Sequence, residues 1–273
     1  MTLVASWIKY ELPDKNPTIW TVSDSKISID EDTLTLCGSK VLELHIKCKS
    51  LKGLPPRNIY HTSSIGFAYA GSTLSALNVY ATLDSILSNL GGNETKNNLP
   101  DYLAIIDKAQ RILKLYLAKE QMCEICLFGF CPKNKQPFIS AIRPRLTDNG
   151  LEFEVENTFG ENENLIVTLL GDKKEVFANQ IIAMGNEYSQ DQYAYWELPL
   201  PILYTMMKDS NYTTIGGGLQ LATVDAKNFT FASLNLQSVK NESDTMKFRN
   251  LDVFEDIGIQ IGDCYFAMDS ISY

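Results

Sequence analysis

A threonine stands second in the chain, directly behind Met1, and opens the run Thr2-Leu3-Val4-Ala5-Ser6-Trp7-Ile8, which reads as a strand. Small second residues permit removal of the initiator methionine, and loss of Met1 would give Thr2 a free α-amine beside its hydroxyl. A residue in that state carries a nucleophile together with its own base. Such a group needs three supports: a charge that keeps the amine neutral, a partner that holds that charge, and donors for a tetrahedral oxyanion. A lysine ammonium disfavours the protonated form of a nearby amine, and a carboxylate can hold the lysine in place. Asp24, in Ser23-Asp24-Ser25-Lys26, and Lys40, behind Gly38-Ser39, are the residues of those types at the ends of predicted strands. Taken singly, each reads more readily as a surface charge at a strand end.

Other chemistries fit less well. Cys123-x-x-Cys126 has metal-ligand spacing, but it lies in the apolar run Cys123-Glu124-Ile125-Cys126-Leu127-Phe128-Gly129-Phe130, which reads as a strand. Residues three apart on a strand face opposite sides of a sheet, no second cysteine pair follows, and His45 and His61 are distant in sequence. Neither a metal nor another cofactor is therefore expected. The six cysteines read as reduced and mostly buried. A net charge of −9 and a pI near 4.8 argue against partners such as nucleic acid or an anionic membrane. The N-terminus lacks the features of a signal peptide, and no apolar stretch approaches the ~20 residues of a membrane span, so a cytoplasmic location is expected.

The elements that must position these residues follow from periodicity. Thr2 to Lys9 and Thr18 to Asp24 predict an antiparallel hairpin around a loop rich in turn residues. Thr33 to Cys37 and Lys40 to Ile46 predict a second hairpin around Gly38-Ser39. A strand over Ser64 to Ala70 leads to Gly71-Ser72, with Ser72 as N-cap of an amphipathic helix that runs through Leu74, Leu77, Tyr80, Ala81, Leu87 and Leu90 and stops at Gly91-Gly92. A second helix starts near Pro100 and places Tyr102, Ile105, Ile106, Ala109, Ile112, Leu113 and Tyr116 on one stripe. Strands are then expected over Cys123 to Cys131, Pro137 to Ile142, Leu151 to Val155 and Leu165 to Leu170. Helices follow from Lys173 to Met184 and up to Lys208, and strands return at Gly218 to Val224 and Phe229 to Leu234. This order excludes regular βαβ alternation and predicts an α+β fold, antiparallel sheets stacked as a four-layer αββα sandwich. The domain is expected over residues 1–235, with 236–273 as a C-terminal extension docked on it.

Four features together resemble the proteasome β-type peptidases of the N-terminal nucleophile hydrolases, including their bacterial relatives. They are the Thr-initiated strand, Asp24-Ser25-Lys26 ending the next strand, Gly38-Ser39-Lys40-Val41 opening a later one, and Ala70-Gly71-Ser72 ahead of a helix. The resemblance is strongest over residues 2–90 and weaker to about 235. It implies Thr2 as nucleophile, its amine as base, Asp24 and Lys40 as the charge pair behind it, and the Gly71 N–H as oxyanion donor. Lys26 stands where the family often has arginine, with a structural role. The second half departs: Gly171-Asp172-Lys173 replaces a Gly-Ser-Gly turn, leaving Asp172 as a candidate acceptor for the new N-terminus. Asn211, Thr213 and Thr214 match loosely the Asp and Ser that precede a glycine pair. The resemblance further implies peptide or unfolded-protein substrates, a homo-oligomer and an ATP-dependent unfoldase partner. The alternative is a scaffold or regulatory subunit of the same shape without turnover.

Overall fold

The computed structural model describes residues 2–11, 16–29, 32–52, 57–93, 98–117, 121–148, 150–160, 165–188, 192–235, 247–266 and 269–272. Met1, the loop 12–15 and the polar stretch 236–246, where the C-terminal extension was expected to begin, lie outside them. In chain order the elements are β1 (Leu3–Glu11), β2 (Asn16–Asp24), β3 (Ile27–Ile29), β4 (Asp32–Thr35), β5 (Val41–Ser50), β6 (Ile59–Gly71), α1 (Thr73–Leu87), β7 (Leu90–Gly92) and α2 (Tyr102–Tyr116). They continue with β8 (Cys123–Phe130), β9 (Pro137–Thr147), β10 (Gly150–Phe159), β11 (Val167–Gly171), α3 (Lys174–Tyr188), α4 (Gln192–Glu197), α5 (Pro199–Lys208), β12 (Leu219–Val224) and β13 (Phe229–Asn235). Four short strands close the chain: β14 (Lys247–Phe248), β15 (Leu251–Asp252), β16 (Gln260–Ile261) and β17 (Cys264–Tyr265), before a final strand β18 (Asp269–Ser272).

Two six-stranded sheets result, in the orders β11-β1-β2-β12-β13-β18 and β10-β9-β8-β6-β5-β7. Pairing is antiparallel apart from β5 with β7 and β13 with β18. The period-2 alternation of the strands divides their side chains between three cores. On β1, Leu3, Ala5 and Trp7 join a core with Phe177, Leu200 and Leu203 of the later helices, while Val4 and Ile8 face the other way. That second core holds residues of both sheets, among them Ile19, Ala68, Phe128 and Ala222. A third core places Phe67, Tyr69 and Ile125 against Ala76, Val79 and Leu83 of α1 and Ile105, Ile106, Ala109, Ile112 and Leu113 of α2; of the apolar faces expected from sequence, Leu74 and Leu77 of α1 and Tyr116 of α2 are exposed instead. The chain is thus a mixed α/β structure of several sheets and few helices. Among the described residues, no helix is long and apolar enough to cross a membrane.

Local signals were read well where they are local. The first hairpin forms, with Trp7 opposite Trp20. Ser72 caps α1 by accepting from Ser75 N, and Asp101, one residue past Pro100, caps α2 by accepting from Ala104 N at 2.8 Å. Pro199 sits in the first turn of α5, where its missing N–H costs nothing. The second predicted hairpin does not form. β4 pairs with β3, and β5 pairs with β6 and β7, so Gly38-Ser39 is a crossing from the small ribbon into the second sheet. Gly38 N donates to Ser25 O at 2.8 Å instead of closing a hairpin. α1 also ends at Leu87, earlier than its apolar pattern suggests, because Leu90 is claimed by β7 opposite Cys48.

Cys123 and Cys126 do face opposite sides: Cys123 packs under the helices and Cys126 between the sheets. Burial pushes both thiols up to about 12. Cys264 is exposed and Cys37 partly so. Maleimide labelling of the native protein, mapped by mass spectrometry, is expected to modify Cys264 first and Cys37 next. Cys123 and Cys126 should lag by at least about a hundredfold, since little thiolate forms and access is closed. Labelling of Cys126 on the timescale of Cys264 would contradict this packing.

Candidate functional site

The ends of five strands meet at one end of the two sheets: the start of β1, the end of β2, the start of β5, and the ends of β6 and β11. Thr2 is 4% exposed, and its carbonyl accepts from Asp172 N at 2.8 Å. Asp172 and Thr2 therefore exchange a ladder hydrogen bond, which makes the neighbouring pair Leu3–Gly171 a non-hydrogen-bonded one. The Leu3 N–H accordingly turns toward β2, where Asp24 Oδ1 accepts it at 3.1 Å.

Asp24 is wholly buried and is the hub of the site. Its Oδ2 accepts from Lys40 Nζ at 3.0 Å, from Gly216 N at 3.1 Å and from Lys26 N at 3.2 Å. The Lys40 side chain is 1% exposed. Burial pushes the Asp24 carboxyl up from its ordinary value, and the attraction and hydrogen bond of Lys40 pull it back. The same burial pushes the Lys40 ammonium down; Asp24 opposes that shift and the positive charge of Lys26 adds to it. Asp24 and Lys40, which taken singly read as surface charges and are paired only by the family resemblance, are thus a buried ion pair. The ammonium's bond runs to Asp24 and not to Thr2, so the direct Lys40–Thr2 contact that would most strengthen the expectation is not formed. Lys26 Nζ donates to Thr213 O at 2.8 Å, a tie between loops that agrees with a structural role.

Gly71 ends β6 at φ 104°, opposite Cys123, and a Cβ there would meet Met122 O at 2.5 Å. Only glycine fits that turn, which delivers the chain into α1. Gly171, at φ 88°, lies where a Cβ would collide with the Thr2 carbonyl and stand 2.9 Å from the Ala70 Cβ. Gly171 therefore brings Thr2 and the Ala70–Gly71 turn together. The Asp172 carboxylate accepts from Thr214 Oγ1 at 3.0 Å, so one of its oxygens is tied to the 213–217 loop.

Three positioning residues escaped the sequence reading. Gln220 receives Lys40 N at 3.1 Å and donates to Gly38 O at 2.6 Å, which fixes the crossing that carries Lys40. Its signal is an amide side chain between Leu219 and Leu221 of β12. Thr214 was noticed as a loose match, without its partner Asp172. Glu124 was read only as part of an apolar strand, yet Gly171 N donates to its Oε2 at 2.8 Å.

The fold has known counterparts. A solved structure of an Anbu (Gly-1) mutant from Hyphomicrobium sp. strain MC1 is similar with a TM-score of 0.52 and 13% identity, over 84% of this chain and 86% of that one. Anbu (ancestral beta-subunit) from Yersinia bercovieri scores 0.47 at 12% identity, over 81% and 80%. No family model matches the chain, and no curated protein does. The chain thus shares the fold of the Anbu structure over most of both chains. The Anbu structure at 13% identity corrects the family assignment made from motifs: it is distinct from the proteasome β-type peptidases, and the likeness is one of fold only. Four short motifs over the first third of a chain mark strand ends, and a shared fold does not by itself carry a shared function.

Proposed function

We propose that the protein is a threonine-type N-terminal nucleophile hydrolase that cleaves peptide or amide bonds through an acyl intermediate on Thr2 after loss of Met1. The observation that carries this reading is the wholly buried Asp24–Lys40 pair, anchored to the amide that joins Thr2 to Leu3. Buried ion pairs cost desolvation and are weak devices for stability, so a pair placed behind a candidate nucleophile has an electrostatic use. In the proposed step Thr2 Oγ1 attacks the carbonyl carbon and its proton passes to the α-amine. The Gly71 N–H stabilises the oxyanion. Collapse expels the amine, which takes that proton, and water then releases the acid from the Thr2 ester with the α-amine again as base. The three hydrophobic cores, one between the sheets and one under each helical group, support the four-layer αββα reading on which this placement depends.

A second reading, a scaffold without turnover, is favoured by the 4% exposure of Thr2 and by the engagement of Asp172 with Thr214. A peptide epoxyketone separates the two, because it adds to a hydroxyl and an amine on the same residue. The Met1-free protein is expected to label at Thr2, Thr2→Ser to label within about tenfold of that rate, and Thr2→Ala not to label. No adduct on Thr2, or an adduct on a cysteine instead, would leave the scaffold reading standing.

A further inference from the structure

Glu124 is the second residue of β8 and lies opposite Ala70, one pair along from Gly71–Cys123. Its carboxylate accepts from Gly171 N at 2.8 Å and from Lys174 Nζ at 2.9 and 3.2 Å. The register explains the first bond. In the non-hydrogen-bonded pair Leu3–Gly171, the Gly171 N–H points away from β1, and β11 is the edge of its sheet. An edge donor there faces no strand. The acceptor that meets it comes from the other six-stranded sheet. Lys174, the first residue of α3, neutralises the carboxylate from the remaining side. One side chain thus ties β8, the ladder neighbour of the strand that ends in Gly71, to the turn against which Thr2 is packed and to the start of a helix.

The geometry points to Glu124 as a positioning residue for Thr2, acting through Gly171. Thr2 belongs to one sheet and the Ala70–Gly71 turn to the other, so nothing within either ladder sets the gap between nucleophile and oxyanion donor. Gly171 touches both, and Glu124, with Lys174 as its counter-charge, holds Gly171. This inference rests on the reading of Thr2 as nucleophile, and displacements of about 1 Å at such a centre cost on the order of a hundredfold in rate. Cys123, the residue before Glu124, is buried under the helices, so the backbone that carries Glu124 is itself held by the core.

The test compares Glu124→Ala, Glu124→Gln and Lys174→Met with the wild type in the full-length, Met1-free protein. Hydrogen exchange of peptides spanning 167–173 and 2–8 reports the bridge whatever Thr2 does. Glu124→Ala is expected to raise exchange there about tenfold while peptides from β9 and β10 are unchanged, because only local opening is affected. Epoxyketone labelling of Thr2 reports positioning: the maximal inactivation rate should fall about 10- to 100-fold in Glu124→Ala, with the reagent's half-saturation concentration unchanged. Glu124→Gln keeps an acceptor for Gly171 N–H and should recover most of that loss. Lys174→Met should fall between them. Unchanged exchange at 167–173 in Glu124→Ala overturns the bridge. Faster exchange with a wild-type inactivation rate reduces Glu124 to a structural tie and overturns the positioning role. If the wild type takes no label at Thr2, the proposed function fails, and with it the positioning role, while the exchange arm still decides the bridge.

Discussion

Lys40→Ala is expected to cost the folded protein about 3 to 5 kcal/mol and to silence Thr2. The carboxylate of Asp24 is wholly buried and would keep three backbone donors, from Leu3, Lys26 and Gly216, but no cation. Three amides satisfy its lone pairs without neutralising its charge, so the group must take up a proton or loosen the strand ends around it. From sequence alone Lys40→Ala reads as a change that spares the fold; burial of both partners removes that reading. The measurement is urea unfolding beside epoxyketone labelling of the folded fraction. The double variant Asp24→Asn/Lys40→Met separates the two effects. It removes both charges together, so it should regain much of the lost stability and none of the labelling. A Lys40→Ala protein within about 1 kcal/mol of wild type that labels at the normal rate would refute the role assigned to the pair.

Gly171→Ala is the second change with a large expected effect. The new Cβ would run into the backbone carbonyl of Thr2, and backbone cannot swing aside as a side chain can. The φ of 88° adds strain of about 1 to 2 kcal/mol for any L side chain. A loss of about 4 kcal/mol or more is expected, together with loss of Thr2 labelling in whatever fraction folds. Gly150→Ala is the internal control. It has φ 113° as well, but no atom lies within 4 Å of its Cβ position, so only the conformational strain of about 1 to 2 kcal/mol remains. Equal midpoint shifts for the two variants in urea would show that Gly171 is needed for its φ alone and not for the approach of Thr2.

The sequence by itself determined what local periodicity and residue type can encode. Alternation marked the first hairpin, the stripe of α2 and the two faces of Cys123 and Cys126. Ser72 announced a helix start through its side-chain oxygen, and the types of Thr2, Asp24 and Lys40 announced a possible charge pair behind a nucleophile. The tertiary structure alone decided which strands pair. The apolar pattern of Thr33 to Cys37 fits a partner on either side, and backbone hydrogen bonds gave it to β3 and gave Lys40's strand to β6 and β7. Likewise nothing near Gln220 in sequence shows that it grips Gly38 and Lys40, or near Glu124 that it receives Gly171. Those bonds join residues 47 to 182 positions apart. Hydrogen-bond capacity is legible in a residue's type, but its partner is fixed only when the sheets stack and bury it.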